Sequence, residues 1–111
     1  MDLDESRHDT ALVIAPRGRL DVHSAAAFEQ LLLGRIAAGE RAIALDCSRL
    51  DYINSTGLRT LLRAAKELDR VGGRLLLCAL TDNVREVLRL SGFDTFLEIH
   101  PDLTSALASR G

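Results

Sequence analysis

Apolar residues along the chain follow two spacings: short continuous runs, and stripes that recur every three or four positions. Runs of this length are typical of strands and the stripes of helices. Ala42–Leu45 is a run bounded by polar residues, which indicates a strand covered on both faces at the centre of a sheet. The predicted strands are Leu3–Arg7, Ala11–Ala15, Ala42–Leu45, Leu75–Leu80 and Phe96–Ile99.

Four apolar stripes predict helices, and two of them carry terminal signals. Ser24 is a residue type that caps helix N-termini, and Gly92 stands where a left-handed C-cap ends a helix. The second stripe has the clearest helical period, with Leu58, Leu61, Leu62, Ala65 and Leu68 on one side. The predicted helices run from Ser24 to near Gly39, from Ser55 to Arg70, from Asp82 to Leu90, and from Pro101 towards the C-terminus.

The order of these elements, β-β-α-β-α-β-α-β-α, predicts the fold class. The first two strands flank the turn at residues 8–10 and form an antiparallel hairpin. Each later strand is separated from the next by a helix, and such crossovers make parallel strand pairs. We therefore expect an α/β fold in a single domain over residues 1–111: a mostly parallel sheet with an N-terminal β-hairpin and about four helices.

Composition and charge exclude several classes of protein. With 47% hydrophobic residues, the chain has enough apolar surface for one core, so it is not a disordered protein. Its 14 basic and 16 acidic side chains give a formal charge of -2, which argues against a nucleic-acid binder with a broad basic face. The chain lacks an apolar run of about 18 residues, and its first residues are acidic, so we expect a cytoplasmic protein without direct membrane insertion.

The residue types that hold metals and cofactors occur without the spacing that binding requires. Cys47 and Cys78 lie in or beside apolar runs, where free thiols behave as small buried hydrophobic groups. The histidines at 8, 23 and 100 are far apart in the sequence and form no ligand motif. Neither common glycine-rich nucleotide loop occurs. The sequence predicts no metal and no cofactor.

The junction before the second helix carries more polar side chains than a helix start needs. One side-chain oxygen suffices for an N-cap, whereas Asn54, Ser55 and Thr56 follow one another here. Two interpretations remain open, an ordinary cap or a phosphate acceptor, because a helix N-terminus tolerates added negative charge. A catalytic serine is not expected, since the nucleophile elbow needs glycine where this chain has Ile53. We therefore predict that the protein is not an enzyme.

A basic ridge, formed by Arg59, Arg63, Lys66 and Arg70, is predicted on the second helix away from its leucine stripe. Such a ridge is either a solvated face or a surface that meets an acidic partner. Arg59 lies one helical turn beyond Ser55, where it can reach a phosphate carried by that serine.

Around this junction the chain resembles a STAS domain, and specifically the bacterial anti-sigma factor antagonists. Several short motifs between residues 18 and 93 carry the resemblance through their order and spacing. They are Gly18-Arg19-Leu20-Asp21, Leu45-Asp46-Cys47, Tyr52-Ile53-Asn54-Ser55-Thr56-Gly57-Leu58, Gly72-Gly73-Arg74-Leu75 and Ser91-Gly92-Phe93.

The resemblance implies a protein that acts by binding. The unphosphorylated form would capture an anti-sigma factor, often itself a serine kinase, and so release a sigma factor. Phosphorylation would reverse this, and a serine phosphatase would restore the active form. The family's acceptor serine maps onto Ser55, with Thr56 as the second choice. The expected partner-binding residues are Asp21, Asn54, Ser55, Thr56, Gly57, Arg59 and Arg63.

Two departures from the family pattern keep alternatives open. Asn54 stands where the family commonly has Asp, so the charge that helps a kinase align the serine is missing. Arg59 stands where a small residue is common.

Asp21 has two interpretations, an interface residue or a turn-forming Asp before the first helix. The alternative function is a constitutive STAS subunit of a lipid-transport ABC complex, which would bind without a phosphorylation switch.

Overall fold

A computed structural model of the chain describes residues 1–109. Within that range there are six strands and four helices, and a 3-10 helix at Phe93–Thr95 precedes the last strand. Arg110 and Gly111, the end of the predicted single domain, lie outside the described residues. In chain order the elements are β1 (Asp2–His8), β2 (Ala11–Leu20), α1 (Ala25–Ala37), β3 (Ala42–Asp46), β4 (Leu50–Ile53), α2 (Ser55–Arg70), β5 (Arg74–Cys78), α3 (Asp82–Ser91), β6 (Glu98–His100) and α4 (Leu103–Ala108).

The sheet confirms the predicted topology. Its strand order is β1-β2-β3-β5-β6, with β1 antiparallel to β2 and the pairs β2–β3, β3–β5 and β5–β6 parallel. The expected hairpin therefore forms, and β3 occupies the centre as its continuous apolar run predicted. This arrangement is an α/β fold with a mostly parallel sheet, an N-terminal antiparallel hairpin and four helices among the described residues.

Both faces of the sheet are covered, by α1, α2 and α3 on one side and by α4 on the other. Successive residues of β2 show how a continuous apolar run serves both faces. Leu12 and Ile14 pack into the larger cluster, whereas Val13 between them packs into the smaller one with Ala106 of α4. Each face of the sheet is thereby packed against helices.

The helix ends follow the predicted signals, with two exceptions. The last helix does not begin at Pro101 as predicted: α4 begins at Leu103, and Asp102 is its N-cap. Gly92 adopts a left-handed φ of 78° at the C-cap of α3, as expected. Ser24 occupies the N-cap position of α1, but its hydroxyl makes no capping bond. That hydroxyl instead donates to the carbonyl oxygen of Arg19 at 2.7 Å and accepts from the backbone N–H of Asp21 at 3.1 Å. Ser24 therefore fastens the turn that precedes α1.

Two strand predictions were wrong near the functional junction. The second strand does not end at Ala15 but continues as β2 to Leu20, and β4, at Leu50–Ile53, was not predicted at all. The two errors have one cause, because the C-terminal part of β2 pairs with β4 in parallel. Pro16 lies in this extension, beyond the residues that pair with β3, where its missing N–H is not needed by that neighbour.

Strand ends and one helix face also differ from the predictions. The fifth predicted strand, Phe96–Ile99, is displaced to Glu98–His100, and Phe96 follows the 3-10 helix with 71% of its surface exposed. β5 ends at Cys78 rather than Leu80. The buried face of α2 includes Ala64, whereas the predicted stripe residues Leu62 and Ala65 are only half-buried. Among residues 1–109, no helix has the length and apolar character needed to cross a membrane.

Candidate functional site

The junction between β4 and α2 leaves one hydroxyl exposed and unused. The side-chain oxygen of Asn54 accepts hydrogen bonds from the backbone N–H groups of Thr56 and Gly57, at 3.1 and 3.2 Å. The cap is therefore complete without either neighbouring hydroxyl. Ser55 is exposed at the first residue of α2, and among residues 1–109 its hydroxyl has no hydrogen-bond partner. Thr56 is half-buried beside it.

Gly57 is buried two residues after Ser55 and sets how closely α2 approaches the end of β2. A Cβ atom at this position would lie 2.5 Å from the carbonyl oxygen of Leu20 and 2.8 Å from a side-chain carbon of Ile53. The backbone N–H of Asn54 also donates to the Leu20 oxygen, at 3.4 Å. Gly57 therefore contributes close packing rather than exposed surface, and this packing brings the turn after Leu20 next to the start of α2.

Asp21 organises that turn. Its carboxylate accepts a hydrogen bond from the backbone N–H of His23 at 3.0 Å, and this bond is the main reason why its pKa is lowered. Its carbonyl oxygen accepts from the N–H groups of Ser24 and Ala25, at 3.1 and 2.8 Å. The structure thus supports the turn-forming interpretation of Asp21, and a contact with a partner remains a prediction for this residue.

Sequence reasoning missed a cation-π pair on the same surface. Arg19 of β2 and Tyr52 of β4 are register partners, and the guanidinium carbon of Arg19 lies 3.9 Å from the centroid of the Tyr52 ring. The guanidinium also donates through Nε to Asp21 at 3.4 Å. Val22, next in the chain, is 66% exposed. The signal lay in the pairing of β2 with β4, which no local sequence pattern revealed.

The basic ridge (Arg59, Arg63, Lys66 and Arg70) is only half neutralised by acidic neighbours. Arg63 lies 3.9 Å from a carboxylate oxygen of Glu29 on α1, and Arg70 pairs with Glu67 one turn before it. Within residues 1–109, Arg59 and Lys66 have no ion-pair partner. Because Arg59 is exposed one turn after Ser55, the part of the ridge nearest the free hydroxyl carries an unpaired positive charge.

The other chemistry-bearing side chains lie away from this junction or inside the core. Cys47 and Cys78 are free and buried as predicted, and burial raises the pKa of both thiols, that of Cys78 to about 11. Both therefore remain protonated at neutral pH. In the described part of the chain, no three His, Cys, Asp or Glu side chains are grouped so that they could hold a metal ion.

The chain is similar to proteins of one family along almost its whole length. The family model of the STAS domain matches residues 3–106. A Bordetella bronchiseptica protein named as an anti-sigma factor antagonist, BtrV, is 40% identical over 109 residues, which cover 98% of this chain and 91% of that relative.

Two solved structures share the fold. The crystal structure of an anti-sigma factor antagonist from Mycobacterium paratuberculosis matches with a TM-score of 0.88 at 26% identity, covering 97% of this chain and 92% of that one. A Thermotoga maritima structure described as an anti-sigma factor antagonist matches with a TM-score of 0.91 at 21% identity, covering 96% of this chain and 92% of that one.

Proposed function

This chain belongs to the STAS domain family, and on that premise we propose that it is an anti-sigma factor antagonist whose binding is switched off by phosphorylation of Ser55. In its unphosphorylated form it binds an anti-sigma factor and thereby releases a sigma factor. In this proposal the anti-sigma factor is also the serine kinase that phosphorylates Ser55. A serine phosphatase reverses the modification. The protein acts in the cytoplasm and catalyses no reaction itself.

The observation that carries the proposal is the free hydroxyl of Ser55. It is exposed at the N-terminus of a long helix whose cap is supplied by Asn54 alone. A phosphate at this position faces the positive end of the helix dipole, so the modification leaves the fold stable. A kinase can reach the hydroxyl without opening the structure.

The proposed contact surface consists of exposed and half-buried residues around that hydroxyl. Ser55, Arg59 and Arg63 project along the first turns of α2, with Asn54, Thr56 and Asp21 at the margin. A phosphate adds about -1.5 to -2 charges at the centre of this surface. A partner docked there loses affinity through repulsion and desolvation, and a coupling of about 1–3 kcal/mol corresponds to a 5- to 150-fold change in binding.

Asn54 bears on one step of the switch, the phosphorylation of Ser55. It retains the capping bonds but lacks the negative charge that the family usually carries beside the acceptor. In this proposal the rate of phosphorylation depends on that charge. Asn54→Asp is therefore expected to raise the phosphorylation rate, measured with the purified kinase and ATP.

The test uses wild type, Ser55→Asp and Ser55→Ala as baits in lysate of the source organism. Mass spectrometry identifies the captured anti-sigma factor, which is then purified for titrations. We expect Ser55→Ala to bind like wild type, and Ser55→Asp to bind about tenfold more weakly or worse. Incubation with the kinase and ATP should place phosphate on Ser55, and on Thr56 only as a minor product.

Two results would count against the switch. Equal affinities of Ser55→Asp and Ser55→Ala would contradict the charge mechanism, and absence of phosphate from both hydroxyls would contradict phosphorylation. Recovery of an ABC transporter ATPase with wild type and Ser55→Asp alike would favour the constitutive-subunit alternative. Thr56→Ala is the control for the site of modification: it removes the neighbouring half-buried hydroxyl, and phosphate on Ser55 should persist in this variant.

A further inference from the structure

The guanidinium group of Arg19 is held in place although it lies at the surface. Its flat face stacks on Tyr52 at 3.9 Å, and its Nε donates to Asp21 at 3.4 Å. Asp21 is itself fixed by the backbone N–H of His23. A side chain ordered in this way loses little conformational entropy when it binds a second group.

Most of the hydrogen-bonding capacity of this guanidinium is unused. Arginine carries five N–H donors, and within residues 1–109 only the Nε donor of Arg19 has a partner. The side chain is 62% exposed. Its two terminal nitrogens have no hydrogen-bond partner among residues 1–109, and a carboxylate binds such a pair of nitrogens with two parallel hydrogen bonds.

An exposed apolar side chain follows three residues after Arg19 in the chain. Val22 is 66% exposed, and it follows Asp21 in the same turn. This turn is attached to the start of α2, since the carbonyl oxygen of Leu20 accepts from the N–H of Asn54. The turn that carries Val22 therefore lies next to the helix start that carries Ser55, and Arg19 precedes that turn on β2.

We propose that Arg19, stacked on Tyr52 and flanked by Val22, is the specificity-determining part of the docking surface and binds an acidic side chain of the anti-sigma factor. An apolar side chain next to that acid covers Val22. This inference rests on the proposed function and deepens it. It also explains why phosphorylation weakens binding, since a phosphate on Ser55 repels a partner surface that carries a carboxylate.

The experiment measures the affinity of the purified anti-sigma factor captured by wild type. Arg19→Ala is expected to weaken binding about tenfold or more, as arginine contacts at the centre of an interface do. Arg19→Lys recovers only part of the affinity, because lysine keeps the charge but loses the stack and the paired donors. Tyr52→Phe binds like wild type, since the ring and not the hydroxyl supports Arg19, whereas Tyr52→Leu follows Arg19→Ala.

Arg7 supplies the matched control. It is 51% exposed and ion-paired with Glu40, and its register partner on β2 is Leu12. Leu12 precedes Arg19 by about 23 Å along the strand. Arg7→Ala should therefore leave partner affinity unchanged. Thermal unfolding of each variant identifies any loss of affinity that comes from unfolding.

A charge reversal tests the chemistry of the partner. Arg19→Glu is expected to abolish binding, and replacing one Asp or Glu of the anti-sigma factor by Arg should restore it. The inference alone is overturned if Ser55→Asp weakens binding while Arg19→Ala and Arg19→Glu bind like wild type. It is also overturned if Arg7→Ala weakens binding as much as Arg19→Ala, or if no charge reversal on the partner restores affinity. Failure to capture any anti-sigma factor overturns the inference and the proposed function together.

Discussion

Replacement of Gly57 by alanine tests the packing that positions Ser55. The added Cβ would lie 2.5 Å from the carbonyl oxygen of Leu20, and 2.8 and 2.9 Å from side-chain carbons of Ile53 and Leu20. One of these neighbours is backbone in a strand, so rotation of a side chain cannot relieve all three contacts. Overpacking of this kind costs about 1–3 kcal/mol, and we expect a value near the upper end of that range.

Thermal and urea unfolding measure the effect directly. For a domain near this size, a loss of about 1 kcal/mol lowers Tm by about 4 °C, so Gly57→Ala should melt about 8–12 °C below wild type. The variant should also bind the anti-sigma factor more weakly, because the start of α2 moves away from the end of β2.

Gly34→Ala is the matched control for this substitution. Gly34 is exposed within α1, and a Cβ there has no neighbour within 4 Å. Alanine is the better helix former, so this variant should gain about 0.4–1 kcal/mol. The packing argument is refuted if Gly57→Ala unfolds at the wild-type temperature, or if the two substitutions have the same effect.

Two further predictions concern the cap of α2 and the response to acid. Asn54→Ala should lose about 0.5–2 kcal/mol of unfolding free energy, because two backbone N–H groups lose their acceptor. Asn54→Asp should keep or exceed wild-type stability. Urea titration compares the three proteins. Glu98 is bonded to Arg74 and His100, and these contacts hold its pKa below the ordinary 4.5 despite partial burial. Its folded pKa lies below its unfolded pKa, so its stabilising contribution is complete above about pH 4.5 and is lost as the pH falls through the folded pKa. Glu98→Gln should therefore flatten the decline of Tm below about pH 4.5, and an unchanged decline would contradict this assignment.

Local patterns predicted the elements whose signals are contained within one segment. The apolar run at Ala42–Leu45 identified the central strand, and the stripe beginning at Leu58 identified α2 with its observed ends. The helix start with excess hydroxyl groups is also visible in the sequence, and the family resemblance assigned the candidate acceptor among them to Ser55. Its function as an acceptor remains a prediction.

Long-range pairing accounts for what the sequence did not reveal. β4 is short, and its middle residues, Asp51 and Tyr52, are exposed, so it shows neither an apolar run nor a helical stripe. It forms because the extension of β2 supplies a parallel neighbour. The contact between Arg19 and Tyr52 depends on that register, and the two residues lie in separate sequence motifs that carry no information about their distance.

The central claim is that the modification state of one exposed hydroxyl decides whether the partner docks. The most direct measurement installs phosphoserine at position 55 during synthesis and titrates this protein and wild type with the purified anti-sigma factor, before and after phosphatase treatment. The account predicts about tenfold or greater loss of affinity for the phosphorylated protein and full recovery after dephosphorylation. Equal affinity of the two forms for the anti-sigma factor would contradict it.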